Sequence, residues 1–334
     1  MSEETPSPQS SYSTNWVGFR PEIKVLDCTI RDGGLMNDSR FSDDVVRGVL
    51  RACAAAGIDY MEIGYKNSKK LFSPDQYGAW RHCDEDDLRR IVEGEDLGGL
   101  QLCAMADAEK SDYKTDILPR EKSALSMIRI ACYIHQIPLA LEMARDAQDK
   151  GYDTCVNLMA ASTVQESELG AGLDLLCQSG ARAVYLVDSF GHFYTEEVRY
   201  LVKKYLIHAR PHGMEVGVHM HNNLQLAFAN TVEGIVAGAN YVDATMGGLG
   251  RGAGNCPLEL LLGFLHNPKF KLRPVLECLQ THIDPLRAEL GWGFDIPYMI
   301  TGLYNRHPRS AIKHNASEDR GNHVAFYDKV LEDY

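Results

Sequence analysis

From residue 23 to residue 267 the chain repeats one pattern eight times: a short apolar run, then a stretch with helical spacing of its apolar residues. The apolar runs are IKVLDCTI (23–30), IDYMEIGY (58–65), LQLCAMA (100–106), SMIRIACY (126–133), DTCVNLM (153–159), RAVYLVDS (182–189), EVGVHMHNN (215–223) and NYVDATM (240–246). Most are apolar at successive positions, as expected of parallel strands covered by helices. The first helix is the best marked, over 42–57, with Ser42 as its N-cap, acids in its first turn and Gly57 as its stop. The helix after the third strand is poorly patterned, whereas those near 138–151, 164–180, 195–209, 224–238 and 256–267 are regular. Eight units of about 30 residues favour a closed (β/α)8 barrel over a doubly wound open sheet. The expected organisation is a flexible Ser- and Pro-rich arm at 1–16, a catalytic barrel at 17–267, and a small helical extension at 268–334. That extension is expected to pack over the barrel mouth or against a partner subunit.

Composition narrows the function. A formal net charge of −12 argues against a nucleic-acid partner. The N-terminus has neither a basic segment nor an apolar one, and no run approaches the roughly 18 apolar residues of a membrane span. A cytoplasmic protein with no membrane partner is expected. The nine cysteines are odd in number, scattered and without a CxxC pair, so they read as buried free thiols.

In a barrel of this kind the active site lies at the C-terminal ends of the strands. The polar residues there are Asp27 and the TIRDGG segment, Glu62, His135, Asn157, Asp188, Ser189, His219, His221, Asn222, Asp243 and Thr245. His219-Met220-His221 is the sharpest signal. Side chains two apart on a strand point the same way, so Gly217, His219 and His221 share one face, and Val216, Val218 and Met220 the other. The apolar set belongs against the helices, which aims both imidazoles into the mouth as a metal clamp. Asp32 is the best third ligand, its alternative being a cap or turn before the first helix. Arg31 beside it would be a costly charge unless it met an anion, such as a substrate carboxylate or a developing enolate. Asn255 sits in the Gly-rich stretch GGLGRGAGNCPLE, either as a cap of the last barrel helix or within a loop that cradles a phosphate or reaches the metal. Lys66, Lys69 and Lys70 are expected in a solvated loop.

Two segments, DCTIRDGG (27–34) and HMHNNLQLAFANTVEGIVAGANYVDATMGGLGRGAGNCPLE (219–259), resemble the DRE-TIM metallolyase superfamily, and the second is closest to its 4-hydroxy-2-oxovalerate aldolases. MEIGY (61–65) and VDSFG (187–191) fall where that superfamily has its second- and sixth-strand motifs. The resemblance implies metal ligation by Asp32, His219 and His221, with Asn255 as a fourth position in some members. It implies Mn²⁺ or Mg²⁺, or Zn²⁺ in some relatives, as a Lewis acid toward a chelated 2-oxo acid, and Arg31 as the stabiliser of the enolate. Glu62, His135, Asp188, His192 and Tyr65 remain for proton transfer, and Asn157 and Thr245 for substrate contact.

The chain also departs from these relatives. Gly34 and Leu35 stand where acetyl-CoA-dependent synthases carry a Glu-Gln pair. Leu35 occupies the position of the aldolases' catalytic histidine, and Gly252 that of the hydroxymethylglutaryl-CoA lyases' cysteine. The expected activity is therefore a metal-dependent aldolase or lyase acting on a 2-oxo acid with an aldehyde co-substrate. The alternatives are an acyl-CoA-dependent Claisen synthase, a channelling partner of a second enzyme, and other metal–enolate chemistry such as decarboxylation. A homodimer is expected from barrel enzymes generally.

Overall fold

The computed structural model describes residues 20–332; the expected arm at 1–16 lies outside them. Eight parallel strands pair in chain order and close into a barrel. They are β1 Lys24–Asp27, β2 Tyr60–Tyr65, β3 Gln101–Asp107, β4 Met127–Cys132, β5 Asp153–Leu158, β6 Ala183–Asp188, β7 Glu215–Met220 and β8 Tyr241–Ala244. The ring closes where Lys24 to Asp27 of β1 pair with Tyr241 to Ala244 of β8.

The helices of the barrel are α1 Thr29–Gly33, α2 Asp43–Ala56, α3 Glu85–Val92, α4 Tyr113–Asp116, α5 Ile137–Asp149, α6 Glu166–Leu176, α7 Thr195–Ala209, α8 Ala227–Ala237 and α9 Leu258–Leu265. As expected, the Ser42 hydroxyl caps α2 at Val45 N, and Gly57 ends it in the left-handed region. Two expectations are corrected. The first strand stops at Asp27, because its carboxylate accepts from both the amide and the hydroxyl of Thr29 and turns the chain into α1. Arg31 and Asp32 are thus carried on a short helical turn. After β3 the helix shrinks to the single turn α4, which leaves this side of the mouth to loops.

Between the strands and the outer helices lies the main apolar core, which includes Ile63, Ala104, Ile130, Val156, Val184 and Val218. The barrel interior is filled by a second set, among them Leu26, Tyr60, Met127, Cys155, Tyr185 and Tyr241. Gly217 is needed here because a Cβ would stand 2.5 Å from the Tyr185 ring. That ring in turn lies 4.4 Å from the Arg129 guanidinium, so a glycine on β7 sets the height of a charge on β4. In β2 the pairing slips by one residue between Glu62 and Gly64. A bulge of this kind re-aims side chains. It lets Glu62 and Tyr65 both face inward, where strict alternation would point Tyr65 outward. All nine cysteines are buried and free.

Beyond the barrel run α10 Leu272–Cys278, α11 Asp284–Leu290, α12 Ile296–Leu303, α13 Arg309–Asn315 and α14 His323–Glu332. Tyr298, Ile300, Ala311, Phe326 and Val330 cluster with Ala253 of the Gly-rich loop after β8. Asn223 Nδ2 donates to Tyr298 O at 3.3 Å and Trp292 Nε1 to Gly247 O at 3.0 Å. The tail is therefore fastened to the loops that surround the mouth. No helix among the described residues is long and apolar enough to cross a membrane.

Candidate metal centre

His219 and His221 leave the end of β7 on the inward face, with ring centroids 4.9 Å apart, while Met220 is buried in the outer core. Each imidazole is held by Nδ1. His219 Nδ1 lies 2.9 Å from Asp243 Oδ2, and His221 Nδ1 lies 2.8 Å from the main-chain oxygen of Asp188. Both partners are acceptors, so Nδ1 carries the proton and the two Nε2 atoms are left for the cavity, the usual arrangement around a ligated metal. Asp32 brings Oδ2 to 3.1 Å from His219 Nε2, and one donor atom from each of Asp32, His219 and His221 lies within 4.8 Å of the others.

Asn255 is brought in by the Gly-rich loop, which forms an isolated antiparallel bridge between His221 and Asn255. Its Nδ2 donates to Asp32 Oδ2 at 2.7 Å, and its buried Oδ1 has no hydrogen-bond partner. It does not cap the last barrel helix; Pro257 occupies that position. Gly33 and Gly34 allow close approach rather than a special backbone angle. A Cβ on Gly33 would stand 2.8 Å from Leu249.

Beneath the three converging side chains runs a closed ring of charge. Asp32 Oδ1 accepts from Arg31 Nη1 (2.7 Å), and Arg31 Nε donates to Glu62 Oε2 (2.6 Å). Glu62 pairs with Arg129 Nη1 (3.0 Å), and Arg129 Nη2 with Asp243 Oδ2 (2.6 Å). Asp243 holds His219, which returns to Asp32. All six residues are buried. Three carboxylates face two guanidiniums, which leaves one negative charge to be balanced by a proton on His219 or by a bound cation. The electrostatics agree. Burial alone would lower the His219 imidazolium, but Asp243 and Asp32 outweigh it and raise its pKa. Burial alone would raise Asp32, but Arg31 and His219 hold it well below the usual carboxylate range. His221, with no carboxylate bonded to it, is pushed down to about 3 by burial and by His219, and so presents a neutral nitrogen. Two imidazoles and one ionised carboxylate in a buried, under-neutralised pocket fit a divalent metal.

Above the ring lies a cavity of about 360 Å³. Arg31, Asp32, Leu35, Tyr65, Asn157, His219 and His221 line it, and the buried Oδ1 of Asn157 has no hydrogen-bond partner. Other candidates fall elsewhere. Glu62 is committed to two arginines. Asp188 points away from the barrel axis and accepts from the amides of His192 (2.9 Å) and Phe193 (3.3 Å), with its carboxyl pushed up to about 7 by burial. Thr245 is buried outside the cavity lining. His135 is exposed and stacks on Tyr133, and His192 Nδ1 lies 2.8 Å from Gly302 O. Lys69 and Lys70 are exposed as expected, but Lys66 is 2% exposed and pairs with Glu85 at 2.9 Å, because the loop folds back over α3. Sequence reasoning missed Arg129, although its inward register between Met127 and Ala131 was there to be read. It also missed Arg81 and Arg251, loop residues whose aim no periodicity reveals.

The HMGL-like family model matches residues 22–284 of this chain. The chain is 34% identical over 244 residues to the oxaloacetate decarboxylase of Mycobacterium tuberculosis, covering 72% of this chain and 69% of that protein. It is 30% identical over 259 residues to the 4-hydroxy-2-oxovalerate aldolase of Pelotomaculum thermopropionicum, covering 75% and 72%. Among solved structures, the N-terminal domain of a proposed aldolase from Bacteroides vulgatus superposes with a TM-score of 0.73 at 27% identity, covering 87% of this chain and 96% of that one.

Proposed function

The chain belongs to the HMGL-like family, and from that premise we propose that it is a divalent-metal-dependent lyase that breaks a carbon–carbon bond of a 2-oxo acid. The observation that carries this reading is the convergence of Asp32, His219 and His221 beside Arg31 at the floor of a small cavity. Mn²⁺ or Mg²⁺ held by those three residues would supply Lewis acidity toward the substrate's keto oxygen.

The chain's own groups do the rest. Arg31 is fixed through Nε and Nη1 by Glu62 and Asp32, which leaves Nη2 to meet the oxygen that becomes negative. A guanidinium locked in place before the reaction pays no reorganisation cost as that charge develops. Tyr65 lines the same cavity with its pKa pushed up to about 12 by burial. Its phenol therefore stays protonated and is suited to hand a proton to the carbon that loses its neighbour. Asn157 lines the same cavity and can turn its amide N–H to a substrate oxygen.

Leu35 favours one version of this chemistry. Retro-aldol cleavage needs a base for the substrate's hydroxyl, and an apolar side chain lines the cavity where the resemblance places the aldolases' histidine. Decarboxylation of a 2-oxo acid bearing a carboxylate on the adjacent carbon needs no such base. The electron pair of the breaking bond moves to the keto oxygen, carbon dioxide leaves, and the carbon later takes a proton. The Mycobacterium tuberculosis relative named above supports this second reading.

The test is pyruvate release by metal-loaded protein from 4-hydroxy-2-oxovalerate and from oxaloacetate, above the metal-only background. Release that chelation abolishes and Mn²⁺ restores is expected, and is larger with oxaloacetate on the decarboxylase reading. Undiminished release from thoroughly chelated protein would refute the metal-dependent reading.

A further inference from the structure

Three arginines line the cavity outside the ring of paired charge; Arg309 is exposed, whereas Arg81 and Arg251 are withdrawn from solvent. Arg81, from the turn Ala79–Arg81, is 6% exposed. Its guanidinium lies 4.7 Å from the centroid of the Tyr65 ring and 5.1 Å from those of Phe72 and Tyr77. Aromatic faces hold a guanidinium in place, but none of them accepts its directed hydrogen bonds, and its buried Nε has no partner. Arg251, from the Gly-rich loop, donates from Nη2 to Ser189 O at 3.2 Å and places Nη1 3.3 Å from His307 Nε2. Its buried Nε is likewise without a partner.

Among the described residues no carboxylate pairs with either side chain. Asp107 lines the same cavity, but its carboxylate accepts from Asn67 Nδ2 at 3.3 Å. A guanidinium taken out of water without a counter-charge is costly, and fork-shaped donors are suited to carboxylate or phosphate oxygens. Burial depresses the Arg251 pKa, the direction expected of a cation whose counter-ion is not part of the chain.

We propose that Arg81 and Arg251 bind the far end of the substrate, and that this end is a second oxyanion, a carboxylate or a phosphate. Deepening the reading above and resting on it, this places the keto-acid end at Asp32, His219 and His221 and the distal anion, a group other than any carboxylate lost as carbon dioxide, between Arg81 and Arg251. A cavity of about 360 Å³ suits a small molecule of this kind. The tail takes part, because His307 steadies Arg251, and Arg309 and Ile312 line the same cavity.

The experiment is calorimetric titration of the full chain loaded with Mn²⁺. The ligands are oxalate, 2-oxovalerate, 2-oxoglutarate and the phosphonate counterpart of 2-oxoglutarate. 2-Oxoglutarate differs from 2-oxovalerate by a terminal carboxylate in place of a methyl group. At least one of the two doubly anionic ligands should bind about tenfold or more tighter than 2-oxovalerate, as expected of charge-assisted hydrogen bonds, and the stronger of them identifies the anion. Arg81→Gln and Arg251→Gln should each remove most of that preference while leaving oxalate affinity within about twofold, and Arg81→Lys should keep part of it. Equal binding of all three oxo acids by the unaltered protein would overturn the inference, with no dependence on how the variants fold. So would variants that lose oxalate affinity in step with the preference. Failure to bind oxalate at all would instead bring down the 2-oxo acid reading, and this inference with it.

Discussion

The floor and the rim of the cavity treat arginine in opposite ways. At the floor, Arg31 and Arg129 each hold two carboxylates, and the three carboxylates involved are linked through His219 into one circuit. At the rim, Arg81 is caged by aromatic rings and Arg251 by a carbonyl and an imidazole, with no carboxylate on either. Charges paired within the protein are committed to holding geometry, since breaking a buried pair strands its partner. Charges left unpaired are available to a ligand. The comparison separates residues that build the site from residues that read what enters it.

The sharpest break would come from Asp32→Ala. It removes a proposed metal donor and opens the circuit, so turnover should fall more than about 100-fold, given that even outer partners of metal ligands cost 10–100-fold. Elemental analysis after gel filtration should show the metal lost, and retained stoichiometric metal would refute the ligand assignment. Next is Arg129→Met, which leaves Glu62 and Asp243 buried without their shared cation. A loss of about 3–5 kcal/mol in urea denaturation is expected, and a neutral result would mean that the circuit does not hold the floor together.

Asp27 sharpens the contrast from below, as a buried carboxyl outside the circuit whose pKa burial pushes up to about 7 against the opposing bonds from Thr29. Between about pH 4 and 7 the folded protein keeps a proton that the unfolded chain has released. Its contribution to stability is therefore fully present below pH 4 and lost as pH rises through 7. Asp27→Asn should remove about one proton, ~1.4 kcal/mol per pH unit, from the slope of stability against pH in that window. Unchanged slopes would place the Asp27 pKa near its ordinary value. The smallest effect is expected at the rim. Arg81→Gln should shift stability by no more than about 1 kcal/mol, since lost ring contacts are offset by relief of an unpaired charge. A loss as large as that of Arg129→Met would erase the distinction between the two regions.

Much of this molecule could be read before any coordinates. Strand alternation placed His219 and His221 on one inward face, and TIRDGG offered Arg31 and Asp32 beside them. The same alternation, applied to Val187, Asp188 and Ser189, already turns the Asp188 side chain away from the axis, and applied to Met127, Arg129 and Ala131 it turns Arg129 inward. Tyr65 was legible as a mouth residue, although its inward aim depends on the bulge in β2, which alternation does not show. What resisted reading was Lys66, buried by a loop that folds back on α3. Sequence alone determined the eightfold strand–helix repeat and the three side chains suited to a metal, because a period of two along a strand is a local property of the backbone. Only the tertiary structure decided which charges are paired and which are left for a ligand. Arg31 and Glu62, Arg129 and Asp243, and Arg251 and His307 lie far apart along the chain, and barrel closure and the folded-back tail bring them together.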